Sequence, residues 1–161
     1  MDIVSKEVRS RMMAGIRRGN TSPEIKVRRF LHRHGFRFRL HGKMLPGTPD
    51  LVLPRYRLCI FVHGCFWHRH PGCRSAAAPK TRADFWQHKF DQNVSRDARV
   101  KIELLALGWR VFELWECGIR GPEPEMGWLL EAIRDSNQKT LSWPSFQVEG
   151  VVQQAIKSSA D

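Results

Sequence analysis

Asp50-Leu-Val-Leu-Pro-Arg-Tyr-Arg-Leu-Cys-Ile-Phe-Val-His63 is the stretch whose reading decides the fold. Two apolar runs, 50–54 and 57–63, are joined through Pro54-Arg55-Tyr56, and the second has no charged residue between Leu58 and Val62. Such a pair predicts an antiparallel hairpin whose second strand is deeply buried, as in the middle of a sheet covered on both faces. Cys59 falls inside that second run and is expected to be a core thiol.

Working outward, Phe36, Phe38 and Leu40 alternate with Arg37, Arg39 and His41, the period of a strand with one wet face, and 42–49 reads as a loop. Thr21-Ser22-Pro23-Glu24 is a helix start, a hydroxyl cap with proline in the first turn. Ile25, Val27, Phe30 and Leu31 then carry an apolar face toward Gly35, which predicts a helix over 22–34. On the other side, Ala83 to Leu107 reads as helix, with a break near Asn93 left open. Ile102, Leu104, Leu105 and Leu107 are expected to pack inward before Gly108 stops it. Trp109 to Trp115 alternates as a strand with Trp109, Phe112 and Trp115 in the core, and Pro124 to Ser136 suggests a last helix. The order predicts an α/β domain over 21–136 with a mixed central β-sheet flanked by helices. A basic arm or helix over 1–20 precedes it, and a tail of weak periodicity over 137–161 follows.

At 161 residues the chain is about one domain's worth. Its 27 Lys and Arg against 16 Asp and Glu leave a net charge of +11, for which a phosphate backbone is the leading partner. No run approaches the ~18 apolar residues of a membrane span, and Met1 to Glu7 has no apolar leader, so a soluble, cytoplasmic protein without membrane partners is expected. Four cysteines interleaved with histidines favour metal ligation over disulfides, and the lack of a Cys-x-x-Cys pair argues against thiol redox chemistry.

Val62-His-Gly-Cys-Phe-Trp-His-Arg-His-Pro-Gly-Cys73 crowds three histidines and two cysteines into a loop too polar to hold itself in place. Cys65-x4-His70-x2-Cys73, with Cys117 as a fourth ligand from far along the chain, suits one tetrahedral structural zinc. His63 and His68 are then left for chemistry. Asp50, at a strand start whose partner strand ends at His63, has the layout that a divalent-metal phosphodiesterase needs to hold Mg²⁺ against a phosphate. An imidazole nearby can take a proton from water. The Phe66-Trp67 and Phe85-Trp86 pairs are equally compatible with small satellite cores and with wedges between base pairs.

His63-Gly-Cys-Phe-Trp-His68, Leu45-Pro-Gly-Thr-Pro-Asp50, Asn93-Val-Ser-Arg-Asp97, Gly108-Trp-Arg-Val111 and Trp115-Glu-Cys117 together resemble the very-short-patch repair (Vsr) endonuclease family, in order over about residues 5–135. That resemblance implies a restriction-endonuclease-like fold and Mg²⁺-dependent nicking of duplex DNA 5′ to the thymine of a T:G mismatch left by 5-methylcytosine deamination. It also implies a structural Zn²⁺ on Cys65, His70, Cys73 and Cys117, and a monomer in the bacterial cytoplasm, nucleoid-associated, with contacts to mismatch-repair proteins left open. By resemblance, Asp50 and the Val62 carbonyl hold the metal, His68 is the general base, and Asp97 orients it. His63 is a second active-site histidine, Glu24 a supporting acid, and Phe66, Trp67 and Trp86 the wedge. One departure stands out: nucleases of this fold often carry an acid and a lysine where this chain reads Phe61-Val62-His63. The rival readings are a zinc-stabilised DNA-binding module without catalysis and a nuclease with another DNA target. Asp50, His68 and Asp97 argue against the first.

Overall fold

The hairpin forms as its sequence predicts. In the computed structural model, which describes residues 5–14, 19–122 and 124–146, β2 (Leu51–Leu53) and β3 (Leu58–His63) pair antiparallel with Leu53 opposite Leu58. A 3-10 turn at Pro54–Tyr56 and Arg57 at φ 45° close it. The expectations for 1–4, 15–18 and 147–161 lie outside the described residues; α1 (Lys6–Ala14) covers part of the basic N-terminal segment.

Among the described residues, five strands form one sheet in the order β1-β2-β3-β4-β5, where β1 is Arg39–Leu40, β4 is Arg110–Trp115 and β5 is Thr140–Trp143. β1 and β2 pair antiparallel; β3 to β4 and β4 to β5 are parallel. The sheet is therefore mixed, as expected. The strand expected from Phe36 to His41 shrinks to two residues. Its partner β2 is three residues long and Pro54 follows it directly; at the other end the His41 N–H still bonds Asp50 O at 3.1 Å, but His41, at φ 49°, has left the extended backbone. Phe36 is buried in the core from irregular backbone instead. β5 lies in the stretch beyond 137 that periodicity leaves unassigned: four residues whose half-buried Leu141 and Trp143 alternate with exposed Thr140 and Ser142 are too few to read as a strand.

α2 (Ser22–Arg33) and α6 (Gly127–Arg134) cover one face of the sheet, and α4 (Ala83–Ala106) covers the other. The first layer buries Val27 and Leu31 of α2 and Leu129 and Ile133 of α6 on Leu51, Leu53, Leu58, Ile60, Phe112 and Leu114. The second packs Val100 and Leu104 against Cys59 and Val111. Each fully buried Leu- or Ile-sized side chain contributes about 1.5–3 kcal/mol. Cys59 is a core thiol, its titration pushed up to about 12 by burial.

α4 is continuous through Asn93. Its inward stripe is only part of the one expected over 102–107: Leu104 is buried and Leu105 packs beside it, but Ile102 is turned away by the 3.6-residue period that points Val100 and Leu104 inward, and Leu107 lies exposed just past the end of the helix. The carbonyls at its C-terminal end are satisfied from the hairpin turn, where Arg57 donates to Leu107 O at 3.0 Å and Gly108 O at 3.2 Å. Arg110, buried at the start of β4, does the same for α6. It donates to Ala132 O, Ile133 O and Asp135 O at 2.7–2.8 Å. Among the described residues, no helix is long and apolar enough to cross a membrane.

A chain cut after residue 138 loses β5, its ladder with β4 and the Ser142 hydroxyl that accepts from Trp115 Nε1 at 2.8 Å. Its Tm should fall by about 10 °C, since each kcal/mol is worth a few degrees in a chain of this size. Calorimetry on the two chain lengths measures this; an unchanged Tm would show β5 to be dispensable.

Candidate active site

Everything that reads as chemistry in the sequence gathers at one end of β3. The chain leaves that strand at His63, turns at Gly64 into a single helical turn, α3 (Cys65–His68), and meets α4 across it. His63 is buried on the α4 side of the sheet, with its ring stacked on that of His68 at 4.1 Å and 25°. Burial, and then the neighbouring His68, push its titration down to about 3, so it is neutral at physiological pH. His68 Nδ1 donates to Asp97 Oδ2 of α4 at 2.5 Å, a short contact that fixes the ring and leaves Nε2 bare as a base. His63, His68 and Asp97 bring one donor atom each within 4.8 Å of one another.

Asp50, just before β2, accepts from the Val62 N–H at 2.7 Å, which ties the carboxylate to β3 beside the Val62 carbonyl. Its titration is raised to about 6, first by burial and also by Glu24; the Val62 hydrogen bond, His68 and Arg28 oppose this. Asp50, Glu24 and His41 form a second group within 4.8 Å. Glu24 is buried at the start of α2. Its carboxylate accepts from Asn20 N at 3.0 Å, Thr21 Oγ1 at 3.2 Å and Arg28 Nη2 at 2.8 Å. Two close carboxylates, Glu24 buried and Asp50 half-buried and pushed toward neutrality, make a place that a divalent cation would relieve, and the oxygen-rich donor set suits Mg²⁺.

The third group is Cys65, His70, Cys73 and Cys117, again within 4.8 Å, with all three cysteines free of disulfides. Thiolate and imidazole bonds of about 2.3 and 2.0 Å at a tetrahedral centre set sulfur and nitrogen about 3.5 Å apart. His70 Nδ1 stands 3.6 Å from Cys65 Sγ and 3.4 Å from Cys117 Sγ. Its other nitrogen donates to Pro144 O at 2.7 Å, and its ring stacks on Trp115 at 4.2 Å and 7°. That tautomer aims the Nδ1 lone pair at the sulfurs, as a metal ligand needs. Burial pushes the Cys65 thiol up to about 12 and raises Cys117 as well, a cost that a bound cation would remove.

Phe66, Trp67 and Trp86 pack with buried Phe90 into one aromatic block, with ring centroids 5.0–5.9 Å apart. Asn93 Nδ2 donates to Trp67 O at 3.0 Å and ties α3 to α4. All three proposed wedge residues remain half-buried, and Phe85 beside them is exposed.

The structure thus brings together Asp50, Val62, His63, His68 and Asp97, sets Glu24 beside Asp50, and unites the four Cys/His ligands. Sequence reading missed Arg28, His41 and Asn93. Arg28 had a signal, being four residues after Glu24 on a helix, the spacing of an ion pair. His41 had none, since only the fold carries it next to Asp50.

The sequence profile described as DNA mismatch endonuclease Vsr matches residues 1–74. The chain is 53% identical over 116 residues to the type II nicking enzyme V.XorIIP of Xanthomonas oryzae pv. oryzae, covering 72% of this chain and 85% of that protein. It is 43% identical over 122 residues to the DNA mismatch endonuclease Vsr of Escherichia coli K12, covering 76% and 78%. With the type II nicking enzyme V.NmeAIP of Neisseria meningitidis it shares 40% over 119 residues, covering 74% and 84%. Fold, site and relatives together define a DNA endonuclease, a phosphodiester hydrolase. Within that class, the chain belongs to the Vsr family of DNA mismatch endonucleases.

The Asp50 carboxyl takes up its proton more readily folded than unfolded, so ionising it costs stability as pH rises from about 4 through about 6. Asp50→Asn removes that cost. Without divalent cation, its Tm should exceed wild type by a few degrees at about pH 8 and match it near pH 4. Equal Tm values at both would show that the carboxylate is not strained.

Proposed function

We propose that this protein is a Mg²⁺-dependent, strand-specific endonuclease that nicks duplex DNA 5′ to the thymine of a T:G mismatch, as a monomer, with a structural zinc. The observation that carries this reading is the convergence of Asp50, His63 and the His68–Asp97 pair at one strand end, beside an aromatic block. A relative named a DNA mismatch endonuclease and others named nicking enzymes support it.

In this reading Asp50 and the Val62 carbonyl would hold Mg²⁺, which would supply charge stabilisation at the phosphate and the departing 3′ oxygen. His68 Nε2 takes the proton of the attacking water. Asp97, already bonded to Nδ1, aligns the ring and stabilises the imidazolium that results. His63 stays neutral beside it and presents a hydrogen-bonding ring near the scissile phosphate. Glu24, neutralised by Arg28, supports the metal site without adding a second free charge.

Phe66, Trp67 and Trp86 enter the duplex beside the mismatch. Their mutual packing means little side-chain freedom is lost on insertion, and a weakly stacked T:G pair is easier to part than a matched one. Excess positive charge supplies sequence-independent affinity for the backbone. Cys65, His70, Cys73 and Cys117 would hold zinc, which would order the loop carrying His68 and the aromatics.

A nicking assay with Mg²⁺ on duplexes carrying T:G, U:G or C:G at one position should show cleavage of T:G alone. His68→Ala, with its fold checked by circular dichroism, should lower the rate by about 10²–10⁴. Binding without cleavage would make the protein a DNA-binding module, and equal nicking of matched duplex would assign another target. Elemental analysis should find one zinc per chain. His70→Ala or a strong chelator should remove it and lower Tm, and zinc retention should weaken with acid because protons compete for the thiolates. A metal-free protein of unchanged Tm would remove the zinc from this account.

A further inference from the structure

The sheet face under α4 carries an ion pair that the reading above does not use. Lys101 Nζ lies 2.9 Å from Glu113 Oε2, and Glu113 Oε1 lies 4.0 Å from His63 Nε2. Lys101 follows Asp97 by one helical turn on α4. Glu113 stands opposite Phe61 in the β3–β4 ladder, and its side chain shares the face that carries His63. His63, Asp97, Lys101 and Glu113 line one cavity of about 10 Å³, room for about one water molecule. Two carboxylate and imidazole pairs therefore sit side by side, with Asp97 bonded to His68 and Glu113 facing His63.

We propose that Glu113, held by Lys101, is a positioning residue for His63. The proposal rests on the reading of this cluster as the nuclease centre. Lys101 engages one carboxylate oxygen and leaves the other directed at the imidazole. A carboxylate only accepts hydrogen bonds, so the nitrogen facing it must carry the proton: His63 is fixed as the Nε2–H tautomer, with Nδ1 left as the acceptor. A separation of 4.0 Å is too long for a direct bond, and a small rotation of the glutamate side chain closes it. The consequence reaches the base, because the His63 ring is the surface on which His68 is stacked. Without the pair, both His63 tautomers are open and the ring loses its fixed orientation.

The test reads the tautomer directly. In the full chain as purified, labelled with ¹⁵N-histidine and assigned by comparison with His63→Gln, long-range proton–nitrogen spectra should show His63 protonated at Nε2 and bare at Nδ1. Glu113→Ala should give a mixture of tautomers. Glu113→Gln should also lose the wild-type form, since Lys101 takes its single amide oxygen and leaves an NH2 donor facing Nε2. Single-turnover nicking at saturating T:G duplex should fall about tenfold in Glu113→Ala and in Glu113→Gln, and leave duplex affinity within about twofold.

Wild-type His63 protonated at Nδ1, or an unchanged tautomer in Glu113→Ala, would overturn the proposal. Should Glu113→Ala not fold, the Lys101→Met/Glu113→Met pair keeps the volume, removes both charges and is read by the same two outcomes. The spectra need no DNA and no divalent cation, so a chain that proved to cut some other target would leave the tautomer result standing. Conversely, T:G nicking with the wrong tautomer would remove Glu113 alone.

Discussion

The parallel pairing of β3 with β4 is the constraint on which the rest of this molecule depends. Six residue pairs run in register from Leu58 and Arg110 to His63 and Trp115. Because the two strands end level, the residues two positions past each end, Cys65 and Cys117, arrive side by side, and with them the Cys/His cluster, in which Cys117 lies 44 to 52 positions from the other three. The same register sets Trp115 under both His63 and His70 and places Glu113 within reach of His63. A slip of one residue would turn every one of these side chains to the opposite face.

α4 does for the site what β4 does for the sheet. Phe90, Asn93, Asp97 and Lys101 recur at helical spacing along one stripe. Each engages a different part of the cluster: Phe90 packs on Phe66, Asn93 bonds the Trp67 carbonyl, Asp97 bonds His68, and Lys101 pairs with Glu113. Further along, Val100 and Leu104 anchor the helix in the core, so apolar burial over the last turns rigidly positions polar groups over the earlier ones. A site whose groups come from β3, α3, α4 and the residue before β2 is thereby held in one geometry.

The same end of the sheet concentrates the molecule's electrostatic cost. Glu24, Asp50 and His63 are withdrawn from water, and Arg28 answers only part of that cost. It donates to Glu24, to Asn20 Oδ1 at 2.7 Å, and lies 3.3 Å from His41 Nε2, yet its own Nε is buried without a partner among the described residues. Stability is spent where charge must be available for chemistry, and the two apolar layers on either side offset it.

The sequence by itself determined the parts that rest on local chemistry. Alternation and apolar runs specify the hairpin and β4, cap residues specify α2, and ligand spacing picks out Cys65, His70 and Cys73. Family resemblance then supplied the roles of Asp50, His68 and Asp97, which no spacing argument could have joined across 47 positions of chain. Only the tertiary structure decided the rest. β5 exists because β4 offers an open edge and Leu141 and Trp143 find the core, a benefit invisible in an alternation only four residues long. β1 is short because Pro54 ends its partner on one side and His41 leaves the extended backbone on the other. His41, Arg28 and Glu113 matter through neighbours brought to them by the fold, and the reason is general: a side chain's propensity is written in its own stretch, but its partners are chosen by register and packing.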